Sequence, residues 1–399
     1  MIKAVLLDLD NTLILNPDRN FASTFLEKLS AFFERHWQVQ NFGQIYRDGL
    51  RHLHHRSDYD TPNMHALAQF IAAATRRTNA AASQALTDFY QDVYPSLAHC
   101  VTAMPGAHKL IETLQERGYR VVIASNPIYP VEAVLLRLKW AGLPHAANAY
   151  DFVSSADNMH FIKPNAAFFA EIIARVGIEP DETVIIGDRY EHDIRAASMI
   201  GIHGFLLDNG SETTTAPDVK RTTFEAFSKL VYSNSDDLNQ PLLPRLSPGM
   251  IEPQYRGNIG ALFGLIDTIS PRHWHQHPDP NEWSPIQIVC HLLESENTVQ
   301  RPRLERILHE DNPFLTNPKP PPGADQYACS EDGIKLAQHF ASAREHTIAL
   351  LRELSSENWQ RPARHSIFGP TTLLEMAHFT AQHDRLHLEQ LCQTVGRCT

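Results

Sequence analysis

The sequence has few cysteines, no long apolar run and fewer basic than acidic residues, and each shortage excludes a class of protein. The five cysteines contain no Cys-x-x-Cys pair, which argues against a zinc ribbon or a disulfide framework. No apolar stretch reaches the roughly 18 residues that a membrane helix requires. With 35 basic against 46 acidic residues, the net charge of -11 disfavours a nucleic acid as partner. We therefore expect a cytoplasmic protein that binds neither a nucleic acid nor a membrane.

The chain of 399 residues is long enough for two or three domains, and its first 232 residues carry an α/β pattern. Short β-branched runs alternate there with helical patterns, which is typical of a Rossmann-like parallel sheet wrapped by helices. The predicted strands lie at 2–9, 120–125, 151–154, 183–187 and 204–207. Residues 17–100 interrupt this alternation with a helical pattern rich in aromatic residues and histidine. We therefore expect a helical cap inserted into a core made of residues 1–16 and 101–232.

A polar, proline-rich stretch at residues 233–250 is typical of an interdomain linker. Beyond it, residues 251–399 show four helical patterns and no strand pattern. Apolar residues recur at helical spacing in each of them, as Ile259, Leu262 and Phe263 do in the first. These patterns predict an all-α four-helix bundle as the second domain.

Polar and acidic side chains follow several of the predicted strands of the first domain. The stretch "KAVLLDLDNTLILN" carries Asp8 and Asp10 where an apolar strand ends, and such acids are either solvated or placed for chemistry. The other residues of this kind are Ser125, Asn126, Lys163, Asp188 and Asp193. The carboxyl ends of parallel strands meet in one crevice, and clustered carboxylates require a neutralising cation. Oxygen ligands favour Mg²⁺, so the pattern predicts metal-assisted phosphoryl chemistry.

Residues 1–230 resemble the haloacid dehalogenase-like (HAD) superfamily, and the resemblance rests on four short motifs in order. They are Asp8-Leu9-Asp10-Asn11-Thr12, Ser125 after an apolar strand, Lys163, and Gly187-Asp188 followed by Asp193. The resemblance implies a Mg²⁺-dependent phosphatase with an inserted cap, acting on a small phosphorylated metabolite through an aspartyl-phosphate. Asp10 favours a phosphatase over a dehalogenase, because superfamily members that cleave carbon-halogen bonds differ at this second acid.

The same resemblance assigns roles to the site residues. It implies that Asp8 is the nucleophile, and that Asp10 protonates the leaving oxygen and then activates water. Ser125, Asn126 and Lys163 would hold the phosphoryl group.

The resemblance also implies a magnesium site among the four acids. Asp8, the main-chain carbonyl of Asp10 and Asp188 would bind Mg²⁺, while Asp193 would support these ligands. Asp193 has an alternative role as a cap of the helix that begins near it.

A basic patch lies in the predicted cap, formed by Arg47, Arg51, His54, His55 and Arg56. It either attracts an anionic substrate or forms a solvated helix face, and the sequence favours the second interpretation.

The second domain carries histidines at a spacing that suits metal binding. His383 and His387 are four residues apart, so a helix places both on one face. His291 lies near the inner face of another predicted helix. Three inward imidazoles can form the open site that Zn²⁺ or Ni²⁺ uses. Glu294, one turn from His291, is either a fourth ligand or a solvated acid.

Residues 251–399 resemble the DinB-like family of metal-binding four-helix bundles. The resemblance rests on Trp283-Ser284-Pro285 leading to His291, on "RHSIFGP" before the last helix, and on His383-x-x-x-His387. It implies a second divalent metal, Zn²⁺ or Ni²⁺, held by His291, His383 and His387. His365 and His378 are further candidates outside this trio. The alternative is a noncatalytic bundle that serves binding or homodimerisation.

Overall fold

The computed structural model describes residues 1–16, 20–56, 58–208, 219–233, 238, 245–329 and 331–398. The chain divides into two compact units, which are Met1–Ile172 with Pro180–Pro244 and Ile173–Glu179 with Arg245–Thr399. Most of the predicted linker at 233–250 lies outside the described residues, as do residues 17–19 and 57 of the predicted cap.

The first unit is built on a parallel sheet. Its strands are β1 Ala4–Leu7, β2 Ile14–Leu15, β3 Thr102–Ala103, β4 Arg120–Ile123, β5 Phe152–Val153, β6 Thr183–Gly187, β7 His203–Leu207 and β8 Lys220–Thr222. Six of them form one sheet in the order β5-β4-β1-β6-β7-β8, with every pair parallel. The remaining two, β2 and β3, pair antiparallel with each other. The predicted Rossmann-like sheet is therefore confirmed.

Nine α-helices of the described chain precede residue 233. They are α1 Phe21–Trp37, α2 Phe42–His55, α3 Asn63–Thr75, α4 Asn79–Asp92, α5 Ala107–Glu116, α6 Val131–Trp140, α7 Ala166–Val176, α8 Ala196–Ser198 and α9 Phe224–Tyr232. The first four lie between β2 and β3, as the inserted cap requires. Within the described residues, no helix is both long and apolar enough to cross a membrane.

Apolar patterning explains these elements. All four residues of β1 are buried, as expected for a central strand covered on both faces. Along α1 the buried residues include Phe25, Leu29 and Phe33, spaced four apart on one face. The Phe33 ring stacks on Phe42 of α2 at 3.8 Å between centroids. Aromatic packing therefore stabilises the cap, which explains its aromatic-rich sequence.

The second unit is mainly helical. Its helices are α10 Ile251–Ile266, α11 Pro285–Ser295, α12 Arg301–His309, α13 Gly333–Arg352, α14 Ser356–Trp359 and α15 Leu373–Cys398. A π-helical turn, Glu296–Gln300, joins α11 to α12. The prediction of a purely helical domain was wrong in one respect, because a small sheet is also present. It has the order β11-β10-β9, formed by β9 Phe314–Leu315, β10 Pro362–His365 and β11 Gly369–Thr372.

A buried ion triad lies in the core of the bundle. The Nη2 atom of Arg344 on α13 lies 2.9 Å from Glu296 Oε2 and 3.0 Å from Asp384 Oδ1. All three side chains are buried, and Asp384 lies on α15. Buried charges are tolerated when they are paired, so this triad fixes how three segments of the bundle pack together.

Candidate active site and histidine cluster

Three buried carboxylates meet at the carboxyl edge of the parallel sheet. Asp8 follows β1 and Asp188 follows β6, and these strands are neighbours in the sheet. Asp193 lies in the π-helical turn Tyr190–Arg195 that comes after β6. One carboxylate oxygen from each of the three lies within 4.8 Å of the others. The topology therefore brings together acids that are up to 185 residues apart in sequence.

The electrostatics of this acid cluster fit a divalent cation. Burial and the Asp193 charge raise the pKa of Asp8 to about 8. Lys163 supplies one positive charge, with Nζ 2.8 Å from Asp8 Oδ1 and 2.6 Å from Asp193 Oδ1. Burial alone would lower the pKa of Lys163, but the two carboxylates raise it above its usual range. Three hard oxygen donors around a small space form the ligand set that Mg²⁺ prefers.

Local contacts hold these side chains in place. The Thr12 hydroxyl donates to Asp8 Oδ2 at 3.1 Å, and Asn126 Oδ1 accepts the Lys163 backbone N–H at 3.1 Å. Ser125 is buried after β4, and its carbonyl accepts a bond from Ser154. The structure thus brings Ser125, Asn126 and Lys163 to the same edge of the sheet as Asp8.

Asp193 has a second contact besides Lys163. Its Oδ2 accepts the backbone N–H of Arg189 at 2.9 Å, so it also fixes the turn that follows β6. A side chain at Gly187 would meet the Asp193 carboxylate, since a Cβ there would lie 2.5 Å from its Cγ. Glycine in the Gly-Asp motif therefore makes room for Asp193.

Asp10 differs from the other acids because its carboxylate pairs with an arginine. Arg137 on α6 donates from Nη1 to Asp10 Oδ2 at 3.0 Å and from Nη2 to Oδ1, and Asn16 donates to Oδ1 at 3.0 Å. Burial acts to raise the pKa of Asp10, but Arg137 outweighs it and lowers the pKa below its usual range. The Asp10 side chain is therefore held as an oriented carboxylate at the edge of the site.

The three predicted histidines of the second unit also come together. One ring nitrogen from each of His291, His383 and His387 lies within 4.8 Å of the others. The ring centroids are 4.5 Å apart for His291 and His387, and 4.6 Å apart for His383 and His387. The pair on α15 thus faces α11, as the spacing of four residues predicts.

The environment of His291 and His387 favours neutral imidazoles. Burial and neighbouring histidines lower the pKa of His291 to about 3 and that of His387 to about 4. In a neutral ring, His387 Nδ1 donates to Gln390 Oε1 at 2.9 Å, which leaves Nε2 for a ligand bond. The donor set suits borderline metals such as Zn²⁺ or Ni²⁺. Glu294 is exposed and accepts the Tyr327 hydroxyl at 2.6 Å, so it lies outside the trio.

Comparison with known proteins identifies the family. A family model described as haloacid dehalogenase-like hydrolase matches residues 2–201, which is half of the chain. The chain belongs to the haloacid dehalogenase-like hydrolase family. A second family model, the DinB superfamily, matches residues 254–391. Both predicted resemblances are therefore confirmed, and the chain is a hydrolase by family.

The HAD-like part of the chain is similar to several named phosphatases. A ribulose-1,5-bisphosphate 5-phosphatase from Halopiger xanaduensis is 26% identical over 234 residues, covering 56% of this chain and 92% of the relative. A glyceraldehyde 3-phosphate phosphatase from Methanothermobacter thermautotrophicus is 32% identical over 113 residues, covering 28% of this chain and 46% of the relative. The crystal structure of a HAD phosphatase from Thermococcus onnurineus is 23% identical, with a TM-score of 0.39, and covers 58% of this chain and 98% of that one.

Arg137 is a site residue of this HAD-like unit that sequence reasoning missed. It lies on the buried face of α6 with Val134 and Leu138, and its guanidinium stacks 4.2 Å from the Phe21 ring centroid. An arginine among apolar positions of an amphipathic helix was the available signal. Such a residue needs an acidic partner, but the sequence does not indicate that this partner is Asp10.

The basic patch of the cap behaves mainly as a helix surface. Arg47 donates to Gln44, and Arg51 pairs with Asp48 at 2.7 Å, both on the exposed side of α2. Arg56 is different because its side chain is buried and bonded to Asp58 at 3.0 Å. These contacts support the solvated-face interpretation for Arg47 and Arg51.

Proposed function

We propose that the HAD-like unit is a Mg²⁺-dependent phosphatase that hydrolyses a small phosphomonoester through an aspartyl-phosphate on Asp8. The observation that carries this proposal is the buried cluster of Asp8, Asp188 and Asp193 beside Lys163. Asp8 is the acid of this cluster that directly follows the central strand. Its contacts with Thr12 and Lys163 fix both carboxylate oxygens and aim the group into the crevice.

The reaction has two displacements at phosphorus. In the first, an Asp8 oxygen bonds to phosphorus, the ester P–O bond breaks, and the leaving alkoxide takes a proton from Asp10, whose carboxylate must first gain that proton against the pull of Arg137. In the second, Asp10 as a carboxylate takes a proton from water, which attacks phosphorus and releases phosphate and free Asp8. Bound Mg²⁺, held by Asp8 and Asp188 with Asp193 behind them, would neutralise charge on the phosphoryl oxygens. Ser125 and Lys163 would hold those oxygens.

The relatives and Asp10 support a proposal for the substrate class. The relatives named above act, by name, on ribulose 1,5-bisphosphate and glyceraldehyde 3-phosphate. We therefore infer a small phosphorylated metabolite as substrate, in a cytoplasmic setting. The intact second acid, Asp10, favours phosphate ester cleavage over dehalogenation.

A substrate screen tests this proposal. Phosphate release is measured with sugar phosphates, nucleotides, phosphoglycolate and pyrophosphate, with and without Mg²⁺, and halide release is measured with 2-chloropropionate. We expect Mg²⁺-dependent phosphate release that Asp8→Asn and Asp10→Asn each reduce by at least about a hundredfold. The exposed Asp181→Asn serves as the matched control and should leave the rate unchanged. Halide release without phosphate release would contradict the assignment.

For the bundle we propose a divalent metal, Zn²⁺ or Ni²⁺, bound by His291, His383 and His387. The support is the convergence of three ring nitrogens within 4.8 Å and the tautomer that Gln390 sets on His387. A noncatalytic bundle that serves binding or homodimerisation is the alternative. Metal occupancy distinguishes the two, since an interface alone does not require a metal at the trio.

A further inference from the structure

A cavity of about 510 Å³ lies in the second unit beside the histidine cluster. His291, His383 and His387 are among its lining residues, and so are Arg303 and His365. Apolar lining comes from Ile367, Phe368, Phe379 and a run of prolines, 320–322. Its volume falls within the range of small-molecule sites, and apolar and polar side chains both line it.

His365 is a lining residue whose ring has a buried nitrogen without a hydrogen-bond partner in the described part of the chain. The side chain is 4% exposed, and its Nδ1 accepts the backbone N–H groups of Ile367 at 3.2 Å and Phe368 at 3.4 Å. A nitrogen that accepts two such bonds carries no proton, so the neutral ring has its proton on Nε2. Nε2 is buried and has no hydrogen-bond partner within the described part of the chain. A buried donor of this kind is costly unless a ligand or water satisfies it.

Arg303 adds a positive charge to the lining. Only 8% of the residue is exposed, and one nitrogen, Nη2, donates to the Thr316 carbonyl at 2.8 Å. A guanidinium has five N–H donors, so the group retains capacity for a ligand. Its charge acts on His365, whose pKa is lowered by burial and then by Arg303. Lys319 also lines the cavity, and the acid of the lining, Glu294, accepts the Tyr327 hydroxyl.

We propose that this cavity binds a small organic carboxylate, with its oxygens on Arg303 and on the Nε2–H of His365. The apolar body of the ligand packs against Phe368 and Phe379, whose rings are 4.8 Å apart. A cation and a fixed neutral donor complement one negative charge shared by two oxygens. The site differs from the phosphatase crevice and needs neither Asp8 nor an occupied histidine trio.

Titration calorimetry with the full chain tests the proposal, using phenylacetate and its uncharged isostere phenylacetamide as probes. EDTA is present, so the result is independent of metal occupancy. We expect wild type to bind phenylacetate at least about tenfold more tightly than phenylacetamide. This difference in affinity is what one charge-assisted hydrogen bond contributes. His365→Asn keeps an acceptor for Ile367 and Phe368 but lacks the Nε2–H donor. It should weaken phenylacetate binding about tenfold and leave phenylacetamide binding unchanged.

Two further variants make the test robust. Arg303→Gln should also weaken phenylacetate binding about tenfold. It serves as the test variant if circular dichroism shows that His365→Asn does not fold. Arg306→Gln is the matched control, because Arg306 lies on the same helix but pairs with Glu310 at the surface, and it should bind like wild type. Equal affinity for both probes, no binding of phenylacetate at millimolar concentration, or unchanged binding in His365→Asn would overturn the proposal. So would loss of binding in Asp8→Asn, which would place the probe in the phosphatase crevice.

Discussion

The ion pair between Arg137 and Asp10 makes a quantitative prediction about catalysis. Replacing Arg137 by Met keeps an apolar stem against Phe21 but removes both donors to the Asp10 carboxylate. One hydrogen bond to a charged group contributes about 1.5–3 kcal/mol. If that orientation is realised in the transition state, losing it lowers kcat by about 10- to 100-fold. KM should change little, since Arg137 is a positioning residue that acts through Asp10.

The assay is steady-state phosphate release with Mg²⁺, measured for the single variants and for the double variant with Asp10→Asn. If Arg137 acts through Asp10, adding Arg137→Met to Asp10→Asn should cause little further loss. Arg137→Lys should recover only part of the activity, because a lysine ammonium lacks the planar two-pronged geometry that matches a guanidinium to a carboxylate. Lys139→Met is the matched control, as Lys139 is exposed on the same helix and should leave kcat unchanged.

Two results would refute this reasoning. A variant Arg137→Met with wild-type kcat would show that Asp10 needs no orientation by this arginine. Fully additive losses in the double variant would show that Arg137 acts independently of Asp10.

Three other predictions concern the bundle and the division of the chain. Arg344→Met leaves Glu296 and Asp384 buried without their partner. The variant should lower the free energy of unfolding of the bundle by about 3–5 kcal/mol, measured by urea unfolding. Arg352 is exposed, so Arg352→Met should cause almost no change. A loss below about 1 kcal/mol would show that the triad is not a buried ion network of this kind. Elemental analysis of the purified protein should find about one Zn²⁺ or Ni²⁺ per chain. The metal should be lost in His383→Ala and kept in His346→Ala, because His346 is exposed and outside the trio. Phosphatase activity should be intact in both variants. Equal metal content in wild type and His383→Ala would refute the site. Residues 1–232 and 251–399 should each fold as separate fragments, and a random-coil circular dichroism spectrum from either would contradict the proposed domain boundaries.

Much of the first site could be predicted from the sequence because strand ends locate it. The run at 183–187 was predicted as a strand and forms β6 with those bounds, so Asp188 falls at the carboxyl edge beside Asp8. The pairing of His383 and His387 could also be predicted, because a spacing of four residues places both side chains on one helix face. Family resemblance then supplied roles that spacing alone does not give.

Other features depend on tertiary context that the sequence pattern does not contain. Strand β8 is the short polar segment Lys220–Thr222 at the edge of the sheet, where no apolar run marks it. Strands β10 and β11 contain prolines and lack a clear alternation, so the small sheet of the second unit was missed. The partner of Arg137, Asp10, is 127 residues away in sequence. The tautomer of His365 depends on backbone N–H groups in the turn that follows it.

The central claim, an aspartyl-phosphate on Asp8, is tested most directly by trapping it. The enzyme is mixed with Mg²⁺ and the best substrate of the screen, quenched in acid during turnover, and treated with borohydride, which reduces an acyl phosphate to the alcohol. Peptide mass spectrometry should then find homoserine at position 8 in the substrate-treated sample and aspartate without substrate. Unmodified aspartate at position 8 during active turnover, with homoserine at another acid, would contradict the account.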